Sequence, residues 1–106
     1  MFKMAFMVLA AMALLEASVL ADWLPSQRQE FMKDCVPSCE ANPTVLPAHR
    51  YLCPDYCECV RRINESEMTP ADYAELERDA SDGKTTSRVE RFQAAFPTCG
   101  RRVFGI

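Results

Sequence analysis

The chain has one histidine, no CxxC, no CxxCH and no HExxH. A single histidine in a proline-rich stretch gives no metal-protease pair, and the missing motifs remove thioredoxin-type redox chemistry and haem attachment. No serine sits in a nucleophile elbow. Carboxylates abound, Glu75 and Asp79 among them, but they lie four apart on a face expected to be solvated, and none is singled out for acid–base work. Alternating apolar and polar residues are also missing, and no Asn-Gly or Asp-Gly pair is flanked by strand-like residues, so a sheet is not expected. There is no repeat beyond the cysteine pairs and no low-complexity tract. Lys and Arg total 12 against 15 Asp and Glu, a net charge of −3. That balance offers no basis for gripping a phosphate backbone.

Long apolar runs are missing too, with one informative exception. Met4–Leu15 is about a dozen apolar residues behind Lys3, the proportions of an export signal. It is shorter than the roughly twenty residues of a membrane span, and Glu16 stops its extension. Val19 and Ala21 fit the small-residue positions of a cleavage site. Residues 1–21 are therefore expected to be a signal peptide cut between Ala21 and Asp22. The mature chain, 22–106, is expected to be a single cysteine-rich domain, secreted or periplasmic, with no membrane contact after cleavage. It loses one Lys and one Glu with the leader, so its net charge is unchanged. A core this small is marginal without staples.

What is present is cysteine: six residues, all beyond residue 34. An even count in a short exported chain points to three disulfides. The remaining pattern predicts an all-α fold: a small disulfide-stapled helical hairpin with one or two further short helices. "PSQRQEFMKDC" reads as a first helix. "VPSCEANPTVLPAHRYLC" holds Pro37, Pro43 and Pro47 and reads mostly as irregular loop. "PDYCECVRRINE" starts with Pro54 in a first-turn position, and its Glu58–Arg62 and Arg61–Glu65 pairs lie one turn apart. "MTPADYAELERDA" has a capping Thr69, Pro70, and Asp72 three after the cap, with Met68 and Tyr73 placed as a hydrophobic staple. "SDGK" breaks that helix. Ser87 with Glu90 marks another start, and Pro97 and Gly100 are expected to end the last helix, leaving a loose tail over 101–106.

Cys35 and Cys39 are four apart, as are Cys53 and Cys57, so each pair falls on one helix face. On antiparallel partners this favours Cys35–Cys57 and Cys39–Cys53 as two rungs. Cys59 lies about 200° round the helix from Cys57 and needs another partner, which leaves Cys99. Spacing alone leaves other pairings open, Cys35–Cys59 with Cys57–Cys99 foremost. The twin CX3C pattern of Cys35, Cys39, Cys53 and Cys57 resembles that of the small Tim chaperones of the mitochondrial intermembrane space. That resemblance implies a helical hairpin with two nested disulfides that shields apolar client segments. It covers those four cysteines only. Pro37 inside the first motif, two further cysteines and a secretory leader depart from it. The wider layout of Trp23, "YCECV", an acidic helix and the late Cys99 resembles small exported bacterial proteins of unassigned function, which implies location and no activity.

Other chemistries are weaker. Cys53, Cys57, Cys59 and His49 are possible zinc ligands by type, but not by spacing, and thiols oxidise outside the cytosol. Cys53 and Cys57 near a helix start would have lowered thiol pKa values, a condition for disulfide exchange, against which Glu58 works. Asn64–Ser66 matches a glycosylation acceptor. The acidic middle and the arginines Arg88, Arg91, Arg101 and Arg102 form either solvated helix faces that attract each other or a docking surface. The expectation is a binding module, not an enzyme, with no cofactor or metal site, a protein as the partner in view and no nucleic acid. Its candidate surfaces are the loop Glu40–Leu52 and the acidic helix Asp72–Asp79. Thiol–disulfide exchange is the alternative, with metal binding behind it.

Overall fold

The computed structural model describes residues 22–105. The leader and its cleavage site lie outside them. Among the described residues there are five α-helices, one 3-10 helix and no strand: α1 (Pro25–Ala41), the 3-10 turn (Pro47–Leu52), α2 (Cys53–Glu67), α3 (Pro70–Ser81), α4 (Ser87–Gln93) and α5 (Ala95–Phe104). None is long and apolar enough to cross a membrane.

α1 and α2 form an antiparallel hairpin. As α1 advances from Arg28 to Cys35 to Cys39, its partners on α2 retreat from Glu65 to Cys57 to Cys53. α2 is the central element, burying Cys53, Cys57, Val60 and Asn64. α1 buries only Phe31 and Cys39. One fully buried phenylalanine is worth about 1.5–3 kcal/mol, little for a seventeen-residue helix. α1 is held chiefly by its two disulfides and by ties at its start.

Those ties converge on the α2–α3 turn. Trp23 is 2% exposed, and its indole N–H donates to the Met68 carbonyl at 3.1 Å. Gln27 Nε2 donates to the Pro70 carbonyl at 3.0 Å, while its Oε1 accepts from Leu24 N–H. Glu65 accepts from Trp23 N–H and from Arg28, and also pairs with Arg61 on its own helix. Glu58 pairs with both Arg61 and Arg62. α3 begins as its sequence indicates: Thr69 Oγ1 accepts from Asp72 N–H, and the Asp72 carboxylate accepts from Thr69 N–H. Met68 and Tyr73 are both buried beneath that cap. Gly83, at φ +68°, ends α3 in a left-handed turn that suits glycine.

Four expectations need correction. Pro37 does not stop α1, which runs unbroken to Ala41. Its ring removes one backbone donor, but it lies on the exposed side, and Cys35 and Cys39 clamp the chain to α2 on either side. The irregular loop thus shrinks to residues 42–46, because Pro47 opens the 3-10 turn. The cap of α4 is Thr86, not Ser87: Thr86 Oγ1 accepts from Val89 N–H at 3.3 Å and donates to Asp79 at 3.0 Å. Pro97 and Gly100 do not end the last helix. Pro97 occupies the first turn of α5, where its missing N–H has no helical partner to lose, and Gly100 is buried against the core. Gly105, at φ +75°, is the true stop. Arg101–Phe104 are consequently helical, and Phe104 stacks on Tyr56 at 5.4 Å.

Candidate functional site

Three disulfides join the helices and leave no free thiol: Cys35–Cys57 and Cys39–Cys53 tie α1 to α2, and Cys59–Cys99 ties α2 to α5. Cys53, Cys57 and Cys99 are fully buried; Cys35 and Cys59 are half-buried. Fully bonded cysteines offer a metal no thiolate, and among the described residues no group of three or more His, Cys, Asp or Glu is placed to hold an ion. His49 is exposed on the 3-10 turn.

The α1 face that carries Cys35 and Cys39 does more than anchor the bridges. Phe31, Cys35, Ser38 and Asn42 recur at helical spacing along it and form one wall of an open cleft of about 530 Å³. Tyr56 of α2, Tyr73 of α3, Phe92 of α4 and Phe96 of α5 close the other sides. A smaller depression of about 200 Å³ continues past Tyr56 and Phe96 to Arg101 and Phe104. The aromatic walls interlock edge to face: Phe31 on Phe92 at 6.0 Å and Phe92 on Phe96 at 5.3 Å. Phe92 and Phe96 are only half-buried, so part of this aromatic surface faces the cleft instead of the core. Besides the two tyrosines, the polar side chains of the cleft are Asp34 and Ser38 on α1 and Asn42, the residue that follows α1. Burial raises the phenol pKa of Tyr73 well above its ordinary value, with the nearby carboxylates Glu77, Glu30 and Asp34 adding to it. Burial alone raises that of Tyr56.

The surfaces expected from sequence fare differently. On α3, Asp72 is spent in its cap and Asp79 accepts from Thr86 and Arg88. Glu75 pairs with Arg78 and Arg88. Two of its four carboxylates, Glu75 and Asp79, thus hold α3 to α4. The stretch Glu40–Leu52 exposes Leu46 and Tyr51, at 59% and 75%, as separate side chains. Asn64 is 0% exposed. Its Nδ2 donates to the Val60 and Phe92 carbonyls, so the glycosylation match lies inside the folded core.

Sequence reasoning missed the cleft and the Trp23 anchor. Phe31 on α1, and Phe92 and Phe96 four apart, follow a helical spacing that suits a core stripe equally well. The available signal was the α1 stripe continuing at helical spacing beyond Pro37 to Asn42. Comparisons with protein-family models, with curated proteins and with solved structures find no match to the chain.

Proposed function

We propose that this protein is an exported binding module that works in an oxidising compartment, secreted or periplasmic, and takes its ligand in the aromatic cleft. The carrying observation is the cleft itself: five aromatic residues, of which Tyr56, Phe92 and Phe96 are half-buried, around about 530 Å³, one wall of which is pinned by two disulfides. A site of that size and lining is typical of small-ligand pockets. Fixing the wall covalently removes much of the ordering entropy that ligand binding otherwise demands. The three disulfides are compatible with an oxidising location. The test is native mass spectrometry of the protein taken gently from its own compartment, beside a Ser38→Trp variant that fills the cleft. A ligand mass on the wild type and none on the variant is expected. Bare protein in both, with no saturable thermal stabilisation by apolar small molecules, refutes the reading.

One observation favours a second reading, thiol–disulfide exchange. Cys35 lines the cleft and is half-buried, so a substrate thiolate entering there would meet the Cys35–Cys57 bond. Attack at Cys35 forms a mixed disulfide and releases Cys57 as thiolate. Catalysis of insulin reduction by dithiothreitol, lost in Cys35→Ala/Cys57→Ala, would establish it; no acceleration would exclude it.

A further inference from the structure

The one charged side chain that lines the main cleft is acidic. Asp34 stands on its rim beside Tyr73. Glu30 lies one turn before Asp34 on α1, and Glu77 one turn after Tyr73 on α3. None of Glu30, Asp34 and Glu77 is ion-paired among the described residues. No lysine or arginine lines the main cleft; Arg101 appears only in the smaller depression beyond Phe96. Ring faces attract cations, unpaired carboxylates do the same, and the rings also bury apolar surface. All three act together on one kind of molecule. We propose that the cleft takes a small organic cation, an amine or quaternary ammonium with an apolar body, its charged group at Asp34 and its body along Phe92 and Phe96. This assignment rests on the binding reading above. It excludes anions, which meet the carboxylates unopposed.

Trp23 reports on occupancy. It is the only tryptophan in the chain, and it packs on two walls of the cleft, Tyr73 at 4.2 Å and Phe31 at 6.1 Å between ring centres. The experiment titrates the native oxidised protein with octyltrimethylammonium, octanol and octanoate below their micellar concentrations, reading Trp23 emission and calorimetric heat. The cation is expected to bind at least about tenfold more tightly than the alcohol at low salt, with the ratio shrinking in about 1 M salt. Asp34 is exposed and its carboxylate enters no hydrogen bond or ion pair among the described residues, while its backbone carbonyl, which accepts from Ser38 Oγ, is unaffected by substitution, so Asp34→Asn leaves the fold intact. That variant loses the tenfold preference and keeps octanol binding. Equal affinity for cation and alcohol, or preference for octanoate, overturns the cationic assignment and leaves the cleft as an apolar site. Binding of a Lys- and Phe-rich hexapeptide where octyltrimethylammonium fails also overturns it, in favour of a protein segment. Failure of every probe, with no heat and no change in emission, sinks the binding reading itself.

Discussion

Removing the Cys39–Cys53 bridge and removing the Cys59–Cys99 bridge are expected to have very unequal effects. Cys39–Cys53 is nested inside Cys35–Cys57. Replacing both inner cysteines by alanine leaves the outer rung restraining the same loop in the unfolded chain. The expected loss is about 1–2 kcal/mol, below the roughly 3 kcal/mol for closing a free loop of about fifteen residues. Cys59–Cys99 spans 40 residues. In the chain-entropy account, closing a loop of that length is worth about 4 kcal/mol. It is also the only disulfide to α5, whose buried residues are Ala95, Cys99 and Gly100. Small residues bury little apolar area, so Phe96 and Phe104, each half-exposed, would have to hold α5. For a domain near the low end of the usual 5–15 kcal/mol, Cys59→Ala/Cys99→Ala is expected to release α5 or unfold at 37 °C. Urea and thermal melts of the two double variants, read by circular dichroism and Trp23 emission, separate the outcomes. Equal destabilisation, or a Cys57–Cys99 peptide in a disulfide map of the wild type, refutes the reasoning.

N-terminal sequencing of the native protein is expected to begin at Asp22, and alkylation under denaturing conditions without reductant to add no mass; two labelled cysteines or a cytosolic full-length product would contradict this. Thr69→Ala removes the cap of α3 and is expected to cost about 1 kcal/mol in denaturant melts. Asp72 has a lowered pKa because it accepts the Thr69 backbone N–H, and Glu58 has one because it bonds Arg61. Their folded pKa values lie below the unfolded ones, so their stabilisation is present above the ordinary values of 3.8 and 4.5 and is lost as pH falls below that range. Asp72→Asn, which leaves no carboxylate to titrate against the Thr69 N–H, should flatten the acid limb of a Tm–pH curve, and an unchanged limb would show that this bond contributes nothing to acid stability. Expressed in a glycosylating host, the folded protein should carry no glycan at Asn64, which is read directly from its intact mass.

The helix starts were legible because they are local. Thr69, Pro70 and Asp72 satisfy their own backbone groups, and Pro54 occupies a first turn; neither needs distant contacts. The all-α class followed from the same local signals. The ends were less legible, since a stop depends on which of several breakers the fold uses. Gly100 looked like a stop and is instead buried where α5 lies against the core. Gly105 does the stopping with a left-handed turn. The one-residue shift from Ser87 to Thr86 has a tertiary cause. Thr86 can cap α4 and bond Asp79 at once, which ties α3 to α4.

Pro37 shows why the candidate site itself was hidden. In isolation a mid-helix proline is disfavoured by about 3 kcal/mol, and a local reading therefore ends α1 near Cys35. The folded chain has disulfide rungs two residues to either side of Pro37, and the two together are worth more than that penalty. With both in place the helix continues, and only then do Ser38, Cys39 and Asn42 join Phe31 and Asp34 on one wall. Had α1 ended at Cys35, that wall would keep Phe31 and Asp34 and be missing its second half. The cleft is a consequence of the covalent framework overriding a local backbone preference. Its existence therefore depends on oxidation: in the fully reduced protein α1 is expected to fray beyond Pro37, and any cleft ligand should lose affinity together with the helical signal. Parallel titrations of ligand binding and circular dichroism against reductant would show the two losses coinciding. Full affinity retained by a reduced, partly unwound chain would place the binding surface elsewhere.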